Sequence, residues 1–275
     1  MLSNLFLIAG VVVLGFALRS FDHRVFYRLG VVCFGAAIFL FGWLVLGHLV
    51  WGMGLTVAFF GLPLAGILTE TAALRLATQR KIASVSPPAP PDFPNLGELT
   101  DAIEAEGFEY CADIGNHFDE ESDSDDDNLF CRVFLNPEAT TQASICLVDH
   151  AGISFFYVVI ASYLDDKRTV LTSNYPFPET LKFSPRTLVQ RMVGTLSVSE
   201  QVSAHRQFLS THSTQQLLHL DAEAVGERFE REFADHINYN VSIGLLRPAA
   251  EGRVRYTLKG LLFLCRQFIR DFFCL

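Results

Sequence analysis

Charged residues are missing from two long stretches near the start of the chain. None occurs from Leu2 to Leu18, and none occurs across the 41 residues from Leu29 to Thr69. A helix needs about 20 apolar residues to cross roughly 30 Å of hydrocarbon. The first stretch is just long enough for one crossing, and the second is long enough for two. The sequence therefore predicts a membrane anchor of three helices within residues 1–81.

The chain also lacks the short motifs that mark common catalytic and metal sites. It contains no H-E-x-x-H, C-x-x-C, G-x-S-x-G or G-x-G-x-x-G pattern and no Walker loop. Its six cysteines follow neither a zinc spacing nor a disulfide framework, and they are expected to be reduced core residues. We therefore predict neither a metal ion nor a cofactor.

One acidic loop, residues 116–128, invites comparison with a calcium site because Asp123, Asp125 and Asp127 alternate. A calcium loop of the EF-hand type that starts at Asp123 needs Gly at its sixth position and Glu at its twelfth. Those positions hold Asn128 and Phe134. The pattern favours a solvated loop over a calcium site.

Basic residues are scarce in the middle of the chain. Residues 82–245 carry nine Lys and Arg against 26 Asp and Glu, whereas residues 1–81 and 246–275 each carry six against two. A binder of nucleic acid needs Lys and Arg to neutralise phosphates, so the acidic middle argues against such a partner. The two basic ends indicate contact with an anionic lipid bilayer.

The basic residues of the anchor predict its orientation. Arg19, Arg24 and Arg28 lie between the first two spans, and Arg75 and Arg80 follow the third, whereas the turn near His48 has no Lys or Arg. Positive residues mark cytoplasmic loops. We therefore expect a multi-pass protein of the cell inner membrane with its C-terminal domain in the cytoplasm. The expected spans are about Leu2–Leu18, Leu29–Leu46 and Val50–Leu68.

Glycines recur along the second and third spans. Gly35 and Gly42 are seven residues apart, as are Gly54 and Gly61. Small residues in such rows let membrane helices approach closely. The rows predict packing within the anchor, or alternatively self-association or contact with a protein partner, as in an accessory subunit of a larger membrane complex.

The rest of the chain predicts an α+β domain with an antiparallel sheet and packed helices. Residues 82–94 contain five prolines in positions 84–94 and are expected to form an extended linker. The soluble domain is expected at 95–245, with its first helix ending at Gly107 and later helices at Ser199–His212 and Asp221–Tyr239. The run from Ile153 to Leu164 is apolar on both faces and predicts a central strand covered on both sides. The other predicted strands are Phe108–Ile114, Phe130–Leu135, Ser144–Val148 and Thr169–Thr172.

Residues 246–275 predict a basic amphipathic helix. Lys259, Arg266 and Arg270 lie on one side, and a broad apolar face includes Phe268, Phe272 and Phe273. Such a helix can lie on an anionic membrane surface. Docking on the soluble domain would use the same apolar face, so both alternatives stay open.

The remaining candidates for chemistry are His150, Ser173 and His205. Catalytic groups need to be adjacent only in space, so these three could form the site of a membrane-bound hydrolase. Each is also an ordinary turn, strand-end or helix residue. The absence of catalytic motifs favours a membrane-tethered, non-enzymatic binding or interaction module whose ligand the sequence does not specify.

Three short segments carry a resemblance to other proteins. Leu171–Asn174, His205-Arg206 and Tyr256–Gly260, the last followed by an aromatic-rich tail, resemble a group of uncharacterised bacterial membrane-anchored proteins. The resemblance covers only the C-terminal part of the chain. It implies attachment to a membrane and no particular activity.

Overall fold

A computed structural model of the chain describes residues 2–21, 24–89, 91, 93–116, 128–150, 153–192, 194, 197–212, 215–250 and 252–274. The chain forms two compact units. The first comprises Met1–Leu76, Pro178–Thr180 and Gly244–Leu275, and the second comprises Ala77–Phe177 and Leu181–Ile243. The C-terminal segment thus belongs to the same unit as the apolar N-terminal helices.

The helices and strands together give an α+β protein with an apolar N-terminal anchor, as predicted. In chain order the elements are α1 (Leu2–Arg19), α2 (Arg24–Leu44), α3 (Leu49–Ala73), β1 (Leu76–Ala77), β2 (Ile82–Ser84), α4 (Leu96–Ala105), β3 (Glu109–Asn116), β4 (Asn128–Leu135), β5 (Thr141–His150), β6 (Ile153–Tyr163), β7 (Thr169–Ser173), β8 (Thr187–Arg191), α5 (Val198–His212), α6 (Val225–Ser242), β9 (Leu246–Pro248), β10 (Arg253–Tyr256) and α7 (Leu258–Cys274).

The first three helices are each long and apolar enough to cross a membrane, which confirms the predicted association with a bilayer. Consecutive helices pack against each other, α1 on α2 and α2 on α3. α2 begins at Arg24, five residues before the predicted start at Leu29. The helix can include Arg24 and Arg28 because long basic side chains at a span end reach the polar interface.

Glycines allow the helices of the anchor to approach each other closely. A Cβ added to Gly30 would lie 2.8 Å from the carbonyl oxygen of Gly15, so α1 and α2 meet at this pair. A Cβ added to Gly42 would lie 2.6 Å from the Cα of Gly52, so α2 and α3 meet there. Gly42, which belongs to the glycine rows noted in the sequence, therefore serves helix packing within one chain.

The other three glycines of these rows differ in their surroundings. A Cβ on Gly35 would lie 3.2 Å from the ring of Phe60 in α3, whereas a Cβ on Gly54 or Gly61 would meet nothing within 4 Å among the described residues. Self-association through Gly54 and Gly61 stays a prediction.

The C-terminal helix is seated in the first unit. Thr257 caps α7, because its Oγ1 accepts a hydrogen bond from the Gly260 N–H at 3.1 Å and donates one to the Gly244 carbonyl at 2.7 Å. A Cβ added to Gly260 would overlap the carbonyl oxygen of Leu245. α7 also contacts α2 and α3. Within this unit, α7 packs against the anchor helices.

The second unit is built on a seven-stranded sheet with the order β2-β3-β4-β5-β6-β7-β8. Strands β3 to β7 form the predicted antiparallel sheet. β2 adds an antiparallel edge strand beside β3 that the sequence did not predict. β8 is not among the predicted strands, and it runs parallel to β7. It follows the proline-rich stretch 174–185, which provides the crossover that a parallel neighbour requires.

Helices cover both faces of this sheet. α4 and α5 lie on one face, where Ile103 and Val202 join Val158 and Ile160 of β6 in one core cluster. α6 lies on the other face, where Val225 packs with residues of β3, β4 and β5. Strand β6 is therefore covered on both sides, as its continuous apolar run predicts.

Two predicted boundaries differ from the structure. Residues 82–84 pair with β3 as an edge strand, and Phe93 is only 3% exposed within the core cluster of α4 and α5. Residues 82–84 and Phe93 are thus packed in the folded unit, whereas the sequence predicted an extended linker there. α6 begins at Val225 rather than Asp221, because Asp221 Oδ1 accepts a hydrogen bond from the Glu223 N–H at 2.9 Å and forms a turn before the helix.

Replacing Gly260 by Ala is expected to loosen α7. The added methyl group would displace the carbonyl of Leu245, and overpacking of this kind destabilises by about 1–3 kcal/mol. Thermal unfolding of the full chain in detergent should occur at a lower temperature. The matched control is Gly97→Ala in α4, where a Cβ would meet nothing within 4 Å among the described residues, and which should be neutral or slightly stabilising. Equal unfolding temperatures for Gly260→Ala and the parent chain would contradict this account.

Candidate ligand cavity and buried polar network

A buried polar network joins α5 to the sheet. His205 is 2% exposed, and its Nδ1 lies 2.9 Å from Thr172 Oγ1 while its Nε2 lies 3.0 Å from Ser162 Oγ. Ser162 Oγ is in turn 2.8 Å from Thr141 Oγ1. Gln201, one helical turn earlier, donates to the Val158 carbonyl at 2.8 Å. The polar residues on the inner face of α5 are therefore hydrogen-bonded to β6 and β7.

Burial keeps the His205 imidazole neutral. Desolvation, and to a smaller extent the charge of Arg206, lowers the pKa of His205 from 6.5 to about 4. A neutral imidazole donates through one nitrogen and accepts through the other, which matches two hydroxyl partners. Ser162 and Thr172 are both 0% exposed, so this Ser–His contact is closed to a substrate from solution. The network fastens α5 to the sheet.

The three predicted hydrolase residues do not come together. His150, whose side chain lies outside the described part of the structure, is at the end of β5 that pairs with Ile153. Ser162, which holds His205, pairs with Thr141 at the opposite end of β5. Nine residues of strand at about 3.3 Å each separate these ends, which amounts to about 30 Å. Geometry therefore gives no support to a site made of His150 and His205.

Ser173 also points away from His205. It follows Thr172 in β7, and successive side chains of a strand lie on opposite faces of the sheet. Its Oγ accepts a hydrogen bond from the Tyr175 N–H at 3.1 Å. Ser173 thus stabilises the turn that leaves β7, which is the structural alternative considered from the sequence.

The opposite face of the sheet contains a cavity of about 650 Å³. It lies between α6 and the strands β7 and β8, and the segment that precedes β8 forms a third wall. Apolar and aromatic side chains line much of it, namely Leu171, Phe183, Pro185, Phe229 and Phe233. A volume of this size is in the range of small-molecule sites, which is about 300–1,000 Å³.

Asn240 holds the third wall in place. It is 0% exposed, and its Oδ1 accepts a hydrogen bond from the Lys182 N–H at 3.0 Å while its Nδ2 donates to the Lys182 carbonyl at 2.9 Å. These two bonds tie the segment before β8 to the end of α6. They position the ring of Phe183 against that of His236, with centroids 5.0 Å apart and planes at 20°.

His236 contributes a polar edge to this wall. Burial lowers the pKa of His236, and a hydrogen bond with the Lys182 backbone opposes that effect only in part. Its Nε2 is buried and has no hydrogen-bond partner among the residues that the structure describes. An unpaired buried acceptor of this kind costs about 1–3 kcal/mol.

The walls of the cavity carry opposite charges. Lys167 and Arg186 come from the segments that lead into β7 and β8, whereas Glu232 and Asp235 come from α6. Within the described ranges, no ion pair joins these two walls. Glu232 hydrogen-bonds to the Tyr163 side chain. Asp235 is exposed.

Within the part of the chain that the structure describes, neither a metal-binding cluster nor the buried cysteine pair of β4 and β5 competes with this cavity as a candidate site. Among the described residues there is no group of three or more His, Cys, Asp or Glu side chains that could hold a metal ion. Residues Asp123, Asp125 and Asp127 lie outside the described ranges. Cys131 and Cys146 are free, buried and opposite each other in β4 and β5, with 2.9 Å between their Sγ atoms. This contact and burial raise the pKa of the Cys131 thiol, which keeps it protonated.

Comparisons of this chain with models of protein families, with curated proteins and with solved structures gave no match. Its function is therefore inferred from its own residues.

The sequence alone did not reveal the cavity. Phe229, Phe233 and His236 have helical spacing, which by itself indicates only one face of a helix. A histidine on an apolar helix face is the one local signal, and it does not identify what lies opposite. The segment that brings Phe183 to His236 is fixed by Asn240, a contact across 58 residues of chain.

The pH dependence of stability should report on His205. Its pKa is lower in the folded state, so the unfolded state binds more protons and acidification from pH 6.5 to 4 destabilises the fold. At 1.36 kcal/mol per pKa unit, the loss approaches about 3 kcal/mol. We expect His205→Gln to be less stable at pH 7 and to lose less stability over this window than the parent chain.

Urea unfolding of the full chain in detergent, measured from pH 7 to 4, tests this expectation. Comparing each variant with its parent removes the contribution of carboxylates and of His236, which also titrate. The control is His219→Gln, because His219 is exposed. An unchanged pH slope in His205→Gln would show that His205 is not the group involved.

Proposed function

We propose that this protein is a membrane-tethered, non-enzymatic binding module. Three helices fasten it in the cell inner membrane, and its α+β unit lies on the cytoplasmic side. The observation that carries the proposal is the cavity beside α6, in which an apolar lining is flanked by basic groups on one wall and acidic groups on the other.

The placement is supported by the distribution of positive charge. Basic residues lie at the end of α1, at Arg19, and after α3, at Arg75, and none occupies the turn from Val45 to His48 between α2 and α3. By the positive-inside rule, this pattern favours a cytoplasmic position for everything after α3.

The chemistry of the walls favours a small zwitterion with an apolar side chain. Lys167 and Arg186 suit a carboxylate, Asp235 suits an ammonium group, and Phe229 and Phe233 suit an apolar or aromatic group between them. A free amino acid such as phenylalanine or leucine combines all three features. Lys167, Arg186 and Asp235 form no ion pair with one another among the described residues, and such a ligand would supply a charged partner for each wall.

Binding rather than catalysis is supported by what surrounds the cavity. His236, the histidine among its lining residues, has its ring stacked on Phe183 and its pKa lowered by burial. Its hydrogen bond to the Lys182 backbone occupies the other ring nitrogen. The ring is therefore held as part of a wall, and its Nε2 is enclosed rather than presented to a reacting group.

Filling the cavity should abolish ligand binding. Thr187 lines the cavity from β8, and Thr187→Phe would occupy part of the space, whereas Thr187→Ser keeps a small hydroxyl group at the same position. We expect phenylalanine or leucine to raise the unfolding temperature of the parent chain and of Thr187→Ser in a concentration-dependent way. Thr187→Phe should show no such rise.

The charge requirement is tested with two analogues. 2-Phenylethylamine lacks the carboxylate, and 3-phenylpropionate lacks the ammonium group, so each should stabilise the parent chain less than phenylalanine does. Asp235→Asn should weaken the effect of phenylalanine and leave that of 3-phenylpropionate unchanged. If no amino acid shifts the unfolding temperature, or if Thr187→Phe responds as the parent does, the proposed ligand is wrong.

A further inference from the structure

Two arginines face each other on the outer surface of the β9–β10 hairpin. Arg247 and Arg255 are direct cross-strand partners and are exposed, whereas the alternating residues Leu246, Val254 and Tyr256 are buried. Like charges placed directly opposite on an antiparallel pair repel each other. No ion pair to a carboxylate relieves this repulsion among the residues described here. The pair is therefore suited to bind an anion.

The hairpin lies close to the end of α3. α3 ends at Ala73, β1 begins at Leu76, and β10 is the neighbour of β1 in the three-stranded sheet. Neighbouring strands are about 4.8 Å apart. Chain connectivity therefore keeps Arg255 near the point where α3 leaves its apolar surroundings.

α7 adds an uncovered apolar stripe to the same unit. Leu258, Leu262 and Ile269 are 74%, 64% and 45% exposed, and their spacing places them on one side of the helix. Arg266 is exposed and borders this stripe. An apolar stripe with a basic edge is the pattern of a helix that lies in the headgroup region of a membrane.

The opposite side of α7 is the one that packs. Gly260 and Leu264 are buried there, and α7 contacts α2 and α3. Within the broad apolar face expected from the sequence, Phe268 is half-buried, while Leu258, Leu262 and Ile269 stay exposed. The side chains of Phe272 and Phe273 lie outside the described part of the chain.

We propose that this surface binds the headgroups of anionic phospholipids in the leaflet beside α3, with the apolar stripe at the boundary of the acyl chains. The surface, called here the hairpin–α7 face, consists of Arg247, Arg255, Leu258, Leu262, Arg266 and Ile269. The proposal depends on the membrane placement of α3 and is independent of the ligand cavity.

Charge favours lipid over a second copy of the chain as the occupant. A two-fold contact would bring the same patch of each copy together, so Arg247 and Arg255 would meet their own counterparts. Anionic headgroups instead supply the missing negative charge, and each arginine near such a surface strengthens binding roughly fivefold at low salt.

Hydrogen exchange of the full chain in nanodiscs tests the proposal. Discs of phosphatidylcholine alone are compared with discs that also contain phosphatidylglycerol, and exchange is followed for residues 258–270. We expect phosphatidylglycerol to slow exchange in α7 at least about fivefold at low salt and to lose this effect at high salt. The double variant Arg247→Gln/Arg255→Gln should lose most of the protection.

Two controls separate lipid binding from a loss of folding. Arg231→Gln removes an exposed arginine of the second unit that does not line the ligand cavity, and it should leave the effect of phosphatidylglycerol unchanged. The double variant should unfold in neutral detergent at the parent temperature or above it, because it removes a repulsive pair. Leu262→Gln should reduce the protection in discs and leave unfolding in detergent unchanged.

Three outcomes would overturn the proposal. Exchange of α7 could be equal in the two lipid compositions. The double variant could respond to phosphatidylglycerol as the parent does. Protection could follow the number of protein copies per disc rather than the lipid, which would assign the face to a second copy.

Discussion

The whole arrangement depends on one constraint, which is that backbone polar groups in an apolar medium must be paired within the chain. Residues 29–69 carry no charged side chain, and a helix pairs every interior amide with a carbonyl of its own segment. This stretch accordingly forms most of α2 and α3. α2 begins at the charged residue Arg24, and α3 ends at Ala73, two residues before Arg75. Glycines then let the helices approach closely, since lipid gives apolar helices no hydrophobic reason to associate.

The second unit solves a different problem, because its sheet must be covered on both faces in water. α4 and α5 cover one face, and the polar groups that α5 buries are paired, with His205 held between Thr172 and Ser162. α6 covers the other face, and together with β7 and β8 it bounds the cavity where the proposed ligand binds. The polar network on the first face thus serves stability, and the second face holds the proposed binding site. Asn240 shapes that site by tying Lys182 to α6.

Local patterns were sufficient for much of this fold. The uncharged stretches predicted the anchor, the continuous apolar run predicted β6, and Gly107 predicted the end of α4. Gly107 has φ +89°, and the Phe108 N–H donates to the Ile103 carbonyl, which is how a glycine closes a helix. β2, β8, the cavity and the Arg247–Arg255 pair were not predictable, because each depends on a partner distant in sequence or on strands of only three to five residues. The sequence around Gly260 likewise gives no sign that this glycine lies against the Leu245 carbonyl.

Extraction of cell membranes with alkaline carbonate tests the central claim most directly. This treatment releases proteins that are held by charge or by partners and retains those whose helices cross the bilayer. With α1, α2 and α3 embedded, the full chain should remain in the membrane pellet and should enter solution only with detergent. Recovery of the chain in the carbonate supernatant would mean that residues 29–69 form a core in water, and it would contradict the anchor, the orientation and the lipid-binding face together.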